Sequence, residues 1–448
     1  MKASIEGILN KLQENEFVLR ILKNAVYLFS ATGISSAMSM LQSILAGRLL
    51  GPAGFGILGS VTAFTSVINR FASFRMNELV VRYVGFYQEN DDPKRAATVF
   101  KIASLLEVGS SFLAMGLIIW LAPLGARFFA QDVSLAKWFQ IYGLIVMANM
   151  IYESATGLLQ IFDRFRVIAV VDVIQSAVTL TLVAVSFFAK FGLTAVVIAY
   201  MIGKIVGSIG ISILALIEAR KSWGSGWWRT PISTLKTEMK SLLTFAISTN
   251  LSGTISLVAK DSEVLWVSGF LGPEMAGYYK TALALTGLIQ LPISPLPKAT
   301  FPELAREIAR KKWENVRYIL RQGSRLAAIY SIPVTLGLVI LGRWVISLTY
   351  GPAYVPAYEP LMILLAGYTI VNIFYWNRVA LLSLARPIYP TVVNFTGMIL
   401  KLIGVFLWLP GGGYLAFATL LSGYYIFTVG LAAFRVNLDL RKRGVEVL

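Results

Sequence analysis

Twelve charged residues lie inside stretches that are otherwise apolar: Arg70, Arg75, Glu78, Glu107, Glu153, Asp172, Lys204, Lys260, Asp261, Glu263, Arg378 and Lys401. An ionisable group in hydrocarbon costs on the order of 3 kcal/mol or more at a helix centre, so each needs a partner, a water-filled cavity or a task. Arg70, Lys204 and Lys401 have no acid three or four residues away on the same helix. Lone cations at that depth suit an anionic ligand. An arginine grips a phosphate through two parallel hydrogen bonds, and a lysine offers a point charge. Arg48, Lys260 and Arg378 complete the set of cationic candidates. Asp261 and Glu263 are candidates for a coupling ion, H⁺ or Na⁺. They have no acidic counterpart in the first half of the chain, where Met40 and Gln42 stand.

Other charges have a purely structural reading. Arg75, Glu78 and Arg82 follow one helix face and neutralise one another. Lys260 and Glu263, three apart, form an internal pair on the same rule. Arg378 lies near a span end and snorkels to the interface. Glu107 and Asp172 are expected to pair with neighbouring bases. The chain has no Cys and no His, which removes disulfides, thiol nucleophiles, the common zinc sites and the most frequent general base. No Walker A segment is present, and no metal or cofactor is expected.

These charges are carried by membrane-spanning helices. Of the 448 residues 56% are hydrophobic and only 14% charged, against about 25% charged in soluble domains, and mean hydropathy is +0.70. The apolar runs are long enough to cross a bilayer. We place twelve spans, near 24–47, 55–81, 97–121, 135–158, 167–189 and 192–217, then 243–270, 277–301, 320–344, 357–382, 388–409 and 412–434. With the N-terminus in the cytoplasm, cytoplasmic segments hold 28 of the 40 Lys and Arg and the opposite side holds 6. Both termini are therefore expected inside. The net charge of +17 is then the positive-inside signal with attraction to anionic lipid. Nucleic acid is not expected, because no basic face with interleaved aromatics is present. Met1–Lys23 has no apolar signal core. Ile5, Ile8, Leu9 and Leu12 have the spacing of a helix lying on the membrane surface.

The spans repeat. Leu50-Gly51-Pro52-Ala53-Gly54-Phe55-Gly56 recurs as Leu271-Gly272-Pro273-Glu274-Met275-Ala276-Gly277, an offset of 221 residues. The same offset aligns Phe129-Ala130-Gln131 with Tyr350-Gly351-Pro352. The expected fold is all-α: twelve transmembrane helices in two six-helix parallel-repeat bundles around a central cavity. Its parts are a cytoplasmic N-terminal segment (1–23), an N-lobe (24–217), a cytoplasmic linker (218–242), a C-lobe (243–434) and a tail (435–448).

Gly47-Arg48-Leu49-Leu50-Gly51, Arg82-Tyr83, Glu263 nine residues before Gly272, Gly277-Tyr278-Tyr279 and Phe301-Pro302-Glu303-Leu304 occur in order along the chain. Together they resemble the polysaccharide transporter branch of the multidrug/oligosaccharidyl-lipid/polysaccharide exporter superfamily. The resemblance implies a Wzx-type flippase of the bacterial inner membrane, not an enzyme. Such a flippase moves undecaprenyl-diphosphate-linked oligosaccharide to the outer leaflet for surface polysaccharides such as O-antigen. It also implies alternating access, a monomer, and a polysaccharide polymerase as a partner. Arg70 falls where the related lipid II flippases carry a span-two arginine. Gln42 and Ala282 replace two other arginines of theirs, with Lys280 near the second, so lipid II itself is disfavoured. Two rivals stand: a multidrug cation antiporter of the same superfamily, with an acidic cavity, and a membrane polymerase or ligase, which would need a large outer loop.

Overall fold

The computed structural model describes residues 16–73, 76–236 and 238–444. Arg75 and the proposed surface helix around Ile5–Leu12 lie outside them. The described residues are helical, with no strand. In the first half these are α1 (Glu16–Ala72), α2 (Met76–Glu89), α3 (Pro93–Gly125), α4 (Ala136–Gly143), α5 (Ile145–Ala148), α6 (Tyr152–Ile161), α7 (Phe165–Phe188) and α8 (Leu193–Trp223). The second half has α9 (Met239–Ser256), a π-helical turn Leu257–Asp261, α10 (Glu263–Leu271), α11 (Pro273–Gln290), α12 (Leu296–Ala309), α13 (Trp313–Thr349), α14 (Tyr358–Ile373), α15 (Asn377–Ser383) and α16 (Ile388–Arg441).

Nine helices among the described residues are long and apolar enough to cross a membrane. The first, Thr32–Ala72, has 41 residues. Straight, it would measure about 60 Å, twice the hydrocarbon core. It turns back at Gly51 and so accounts for two spans. The stretches that fall short are those read as spans seven and eight, α9–α10 and α11–α12. The π turn with Lys260 and Asp261 interrupts the former. Pro292 and Pro295 interrupt the latter, because proline removes the backbone donor a continuous helix needs. The count of twelve is therefore not reached on length and apolarity alone.

The two repeated turns share one geometry. Gly51 has φ 67° and ψ 174°, and Gly272 has φ 92° and ψ 169°. Side chains rarely enter that region, and the proline after each glycine has its φ pre-set for the first helical turn. The turns also interlock. A Cβ on Gly56 would fall on the carbonyl of Pro273, and a Cβ on Gly277 would fall on the carbonyl of Pro52. Both pairs obey the 221-residue offset, so the contact is two-fold symmetric. The breaks match as well: α1 stops at Ala72 and α11 at Gln290, both before a short restart.

Packing divides the molecule along its length. At the end carrying Gly51 and Gly272 one apolar core is shared by both halves, with Phe55, Val61 and Ile118 beside Tyr279, Ile346 and Phe417. At the opposite end, near the linker, the core splits. Met76, Leu79, Phe100 and Leu158 form one cluster, which also takes in Leu242 and Ala246 of α9. Leu304, Leu320, Trp376 and Val436 form another. Large apolar side chains such as Trp120, Phe188, Ile340 and Leu407 stand exposed. In a helical membrane protein that surface faces lipid.

Candidate functional site

Two cavities open where the halves diverge, each within the size range of roughly 300–1,000 Å³ usual for ligand sites. The first, of ≈ 490 Å³, is lined by Arg70, Glu107, Glu153, Lys204 and Asp261, with Asn69 and Asn149. Arg70 occupies the last turn of α1, where the helix stops. Its guanidinium donates to the carboxylate of Asp261 on the π turn. This pair joins the two halves and stays accessible, with 50% and 39% of the side chains exposed. Lys204 lines the same cavity, and Asp172 of α7 lies close enough for the two charges to interact.

Glu107 enters the cavity from α3 and is 4% exposed. It accepts hydrogen bonds from the backbone N–H of Glu153 (2.8 Å) and Ser154 (3.0 Å) and from the Ser154 hydroxyl (2.7 Å). A carboxylate in that position caps the start of α6, where the chain breaks inside the membrane. It thus binds a helix end in place of the expected base.

Several expectations are corrected here. Arg70 and Lys401, read as unpaired, find their acids across helices, beyond the reach of i±3 and i±4 spacing, whereas Lys204 makes no ion pair among the described residues. The cavity is mixed in charge rather than cationic. Lys401 does not line it: at 5% exposure it is buried in the second half. There it donates to the Glu263 carboxylate and to the Ala259 carbonyl, which the π turn leaves available. Tyr279 donates its hydroxyl to the other Glu263 oxygen at 2.7 Å. Glu263 is therefore not paired with Lys260, which is exposed and makes no ion pair among the described residues. Both coupling-ion candidates, Asp261 and Glu263, are already engaged by cations.

Arg48 is also away from the cavities. It donates to the carbonyls of Leu348 and Thr349 at the end of α13, the kind of contact that favours a cation at a helix C-terminus. Arg378 is exposed on α15, outside both cavities. Gln42, buried, donates its amide to the Ser176 carbonyl at 2.7 Å. Lys280, which sequence reasoning noted without a role, lies 4.0 Å above the Phe55 ring and closes the shared end.

The second cavity, of ≈ 520 Å³, lies between α1, α7 and α11 and so again bridges the halves. Its walls are Thr32, Ser35, Ser36, Ser39 and Ser43 of α1, Asp172 and Gln175 of α7, and Gln290 and Ser294 at and beyond the end of α11. Sequence reasoning missed it. The signal was the polar stripe from Thr32 to Ser43 at spacings of three and four, the period of one helix face.

Comparison with known proteins agrees with this architecture. The family profile described as "Polysaccharide biosynthesis protein" matches residues 21–308. "Inner membrane protein YghQ" of Escherichia coli (strain K12) is 26% identical over 341 residues, which is 76% of this chain and 95% of that protein. Among solved structures, an inward-facing multidrug resistance MATE family transporter of the MOP superfamily aligns with a TM-score of 0.74 at 12% identity. It covers 94% of this chain and 99% of its own. The lipid II flippase MurJ, in an inward closed conformation, aligns with a TM-score of 0.70 at 16% identity, covering 93% and 89%. The chain belongs to the polysaccharide biosynthesis protein family and carries the transporter fold of the multidrug/oligosaccharidyl-lipid/polysaccharide exporter superfamily.

Proposed function

We propose that this multi-pass membrane transporter of lipid-linked oligosaccharide or polysaccharide is a flippase. It carries undecaprenyl-diphosphate-linked oligosaccharide from the inner to the outer leaflet of a bacterial inner membrane. The family match and the likeness to the lipid II flippase fold support the class. The observation that carries the mechanism is the position of Arg70 in a cavity that the π turn of the second half closes. A diphosphate with sugars cannot cross hydrocarbon unaided. In the cavity it takes Arg70 as a bidentate donor and Lys204 as a point charge, displacing Asp261. Losing the Arg70–Asp261 pair removes one link between the halves at the linker end. N- and C-lobes, 24–217 and 243–434, then rock between two openings, with both termini in the cytoplasm.

Two variants test the exchange, read as binding of undecaprenyl diphosphate to purified protein and as flipping in liposomes. Arg70→Ala removes a charge-assisted bidentate contact, and we expect a loss of about 1.5–3 kcal/mol per bond; Arg70→Lys should restore it only in part. Asp261→Asn removes the competitor and should tighten binding. Unchanged binding and flipping in Arg70→Ala would sink the assignment. A second reading, a multidrug cation antiporter, is favoured by the carboxylates Glu107, Glu153 and Asp261 in the same cavity. It requires the opposite sign, with an organic cation bound more weakly after Asp261→Asn.

A further inference from the structure

We infer that the hydroxyl-lined cavity between α1, α7 and α11 is a carbohydrate subsite, distinct from the charged cavity; the assignment rests on the flippase reading above. Its walls carry hydrogen-bonding groups that the protein leaves unused. The Ser35 hydroxyl is buried and has no partner. Ser36, Ser39, Gln175 and Gln290 line the cavity and their side chains make no hydrogen bond among the described residues, the Gln175 amide lying against Gly207 of α8. Elsewhere in the molecule helical hydroxyls are satisfied by the carbonyl four residues back, as in Thr62, Ser66, Thr179, Thr281 and Thr369. Thr65, Ser104 and Ser331 also lack a partner among the described residues, but none of them lines either cavity, whereas several such groups gather on this wall. A hydroxyl or amide left dry in a membrane protein is costly, so a polar occupant suits this wall.

The chemistry of the wall selects that occupant. No cation lines it, and its one charged group is the Asp172 carboxylate. A phosphate would meet repulsion there and find no counter-charge. A polyprenyl chain would leave the hydroxyls and amides unsatisfied. A sugar offers donors and acceptors in every direction, and serine, glutamine and carboxylate groups match both. The position fits as well. Asp172 lines this cavity and neighbours Lys204, which lines the other. A sugar joined to a diphosphate at Arg70 and Lys204 therefore extends past Asp172 into the serine wall.

The test compares four lipids on purified protein in nanodiscs: bare undecaprenyl diphosphate and the same lipid carrying glucose, galactose or N-acetylglucosamine. At least one sugar-bearing lipid should bind about tenfold tighter than the bare one, the gain of a few neutral hydrogen bonds. The triple variant Ser35→Ala/Ser36→Ala/Ser39→Ala should abolish that ratio and leave the bare lipid unchanged. Alanine is the better helix former, so α1 is preserved. Gln290→Met probes the opposite wall independently and decides the matter should the triple variant misfold. Equal affinity of the wild type for all four lipids overturns the subsite. So does an equal loss for bare and glycosylated lipid in the variants. Arg70→Ala separates the two readings: it should weaken all four lipids alike and keep the ratio. A ratio that persists while Arg70→Ala changes nothing would fell the diphosphate site and leave the sugar subsite standing.

Discussion

Each embedded charge is visible in the sequence, but its partner is not. Arg70 and Lys204 were legible as cavity residues because hydrocarbon penalises them and nothing on their own helix relieves the penalty. The acid that pairs with Arg70, Asp261, comes from the second half of the chain, and spacing within one helix carries no information about it. Lys401 is the instructive failure. By sequence it matches Lys204, yet it is bound to Glu263 in the interior, at 5% and 1% exposure. Such a pair is strongly destabilising to break from one side only. Lys401→Met should cost about 3–5 kcal/mol, because Glu263 is left buried without its cation, and adding Glu263→Gln should return most of it. Thermal unfolding in detergent reads both. A Lys401→Met protein that melts normally but no longer binds undecaprenyl diphosphate would return Lys401 to the substrate site.

At the scale of elements, the repeat was readable and the interruptions were not. LGPxxxG located both turns, since glycine and proline have strong local preferences at such positions. The π turn at Leu257–Asp261 and the break before Tyr152 have no such punctuation. They are set by tertiary contacts, Lys401 on the freed Ala259 carbonyl and Glu107 on the start of α6. The glycines four residues after Pro52 and Pro273 do a different job from those in the turns: they let α1 and α11 touch backbone to backbone. Gly56→Ala should therefore force the shared end apart. Ser268, 0% exposed, reports this once made Ser268→Cys in a chain free of other cysteines. Gly56→Ala should speed its labelling by a hydrophilic maleimide. Gly85→Ala, with open space around its Cβ position, should not. Equal labelling in both would mean that the interlocked turns are not what holds this end closed.

For the whole molecule, the asymmetry of the cores matches one state of the proposed alternating-access cycle. The halves share a core where the turns interlock and part where the linker runs. Polar contacts add to the seal: Tyr354 donates to the Gly47 carbonyl at 2.7 Å, Ser43 and Tyr350 share a hydrogen bond between their hydroxyls at 2.9 Å, and Ser60 donates to Ser268 at 2.8 Å. They sit on the apolar core that both halves share at this end, so opening the seal means parting that core as well. Alternating access requires that this seal open in every cycle. The pair Ser60→Cys/Ser268→Cys tests that requirement directly, since the hydroxyls already lie within hydrogen-bonding distance and the chain offers no competing thiol. Oxidation should join the two cysteines across the halves and stop flipping in liposomes, and a reductant should restore it. Binding of undecaprenyl diphosphate at the open linker end should survive the cross-link, because both cavities are already present with the seal shut. Flipping that continues at the normal rate with the disulfide fully formed would mean that substrate crosses without the shared end opening. The rocking of the two halves would then have to be abandoned in favour of a path along the outer surface of the closed protein.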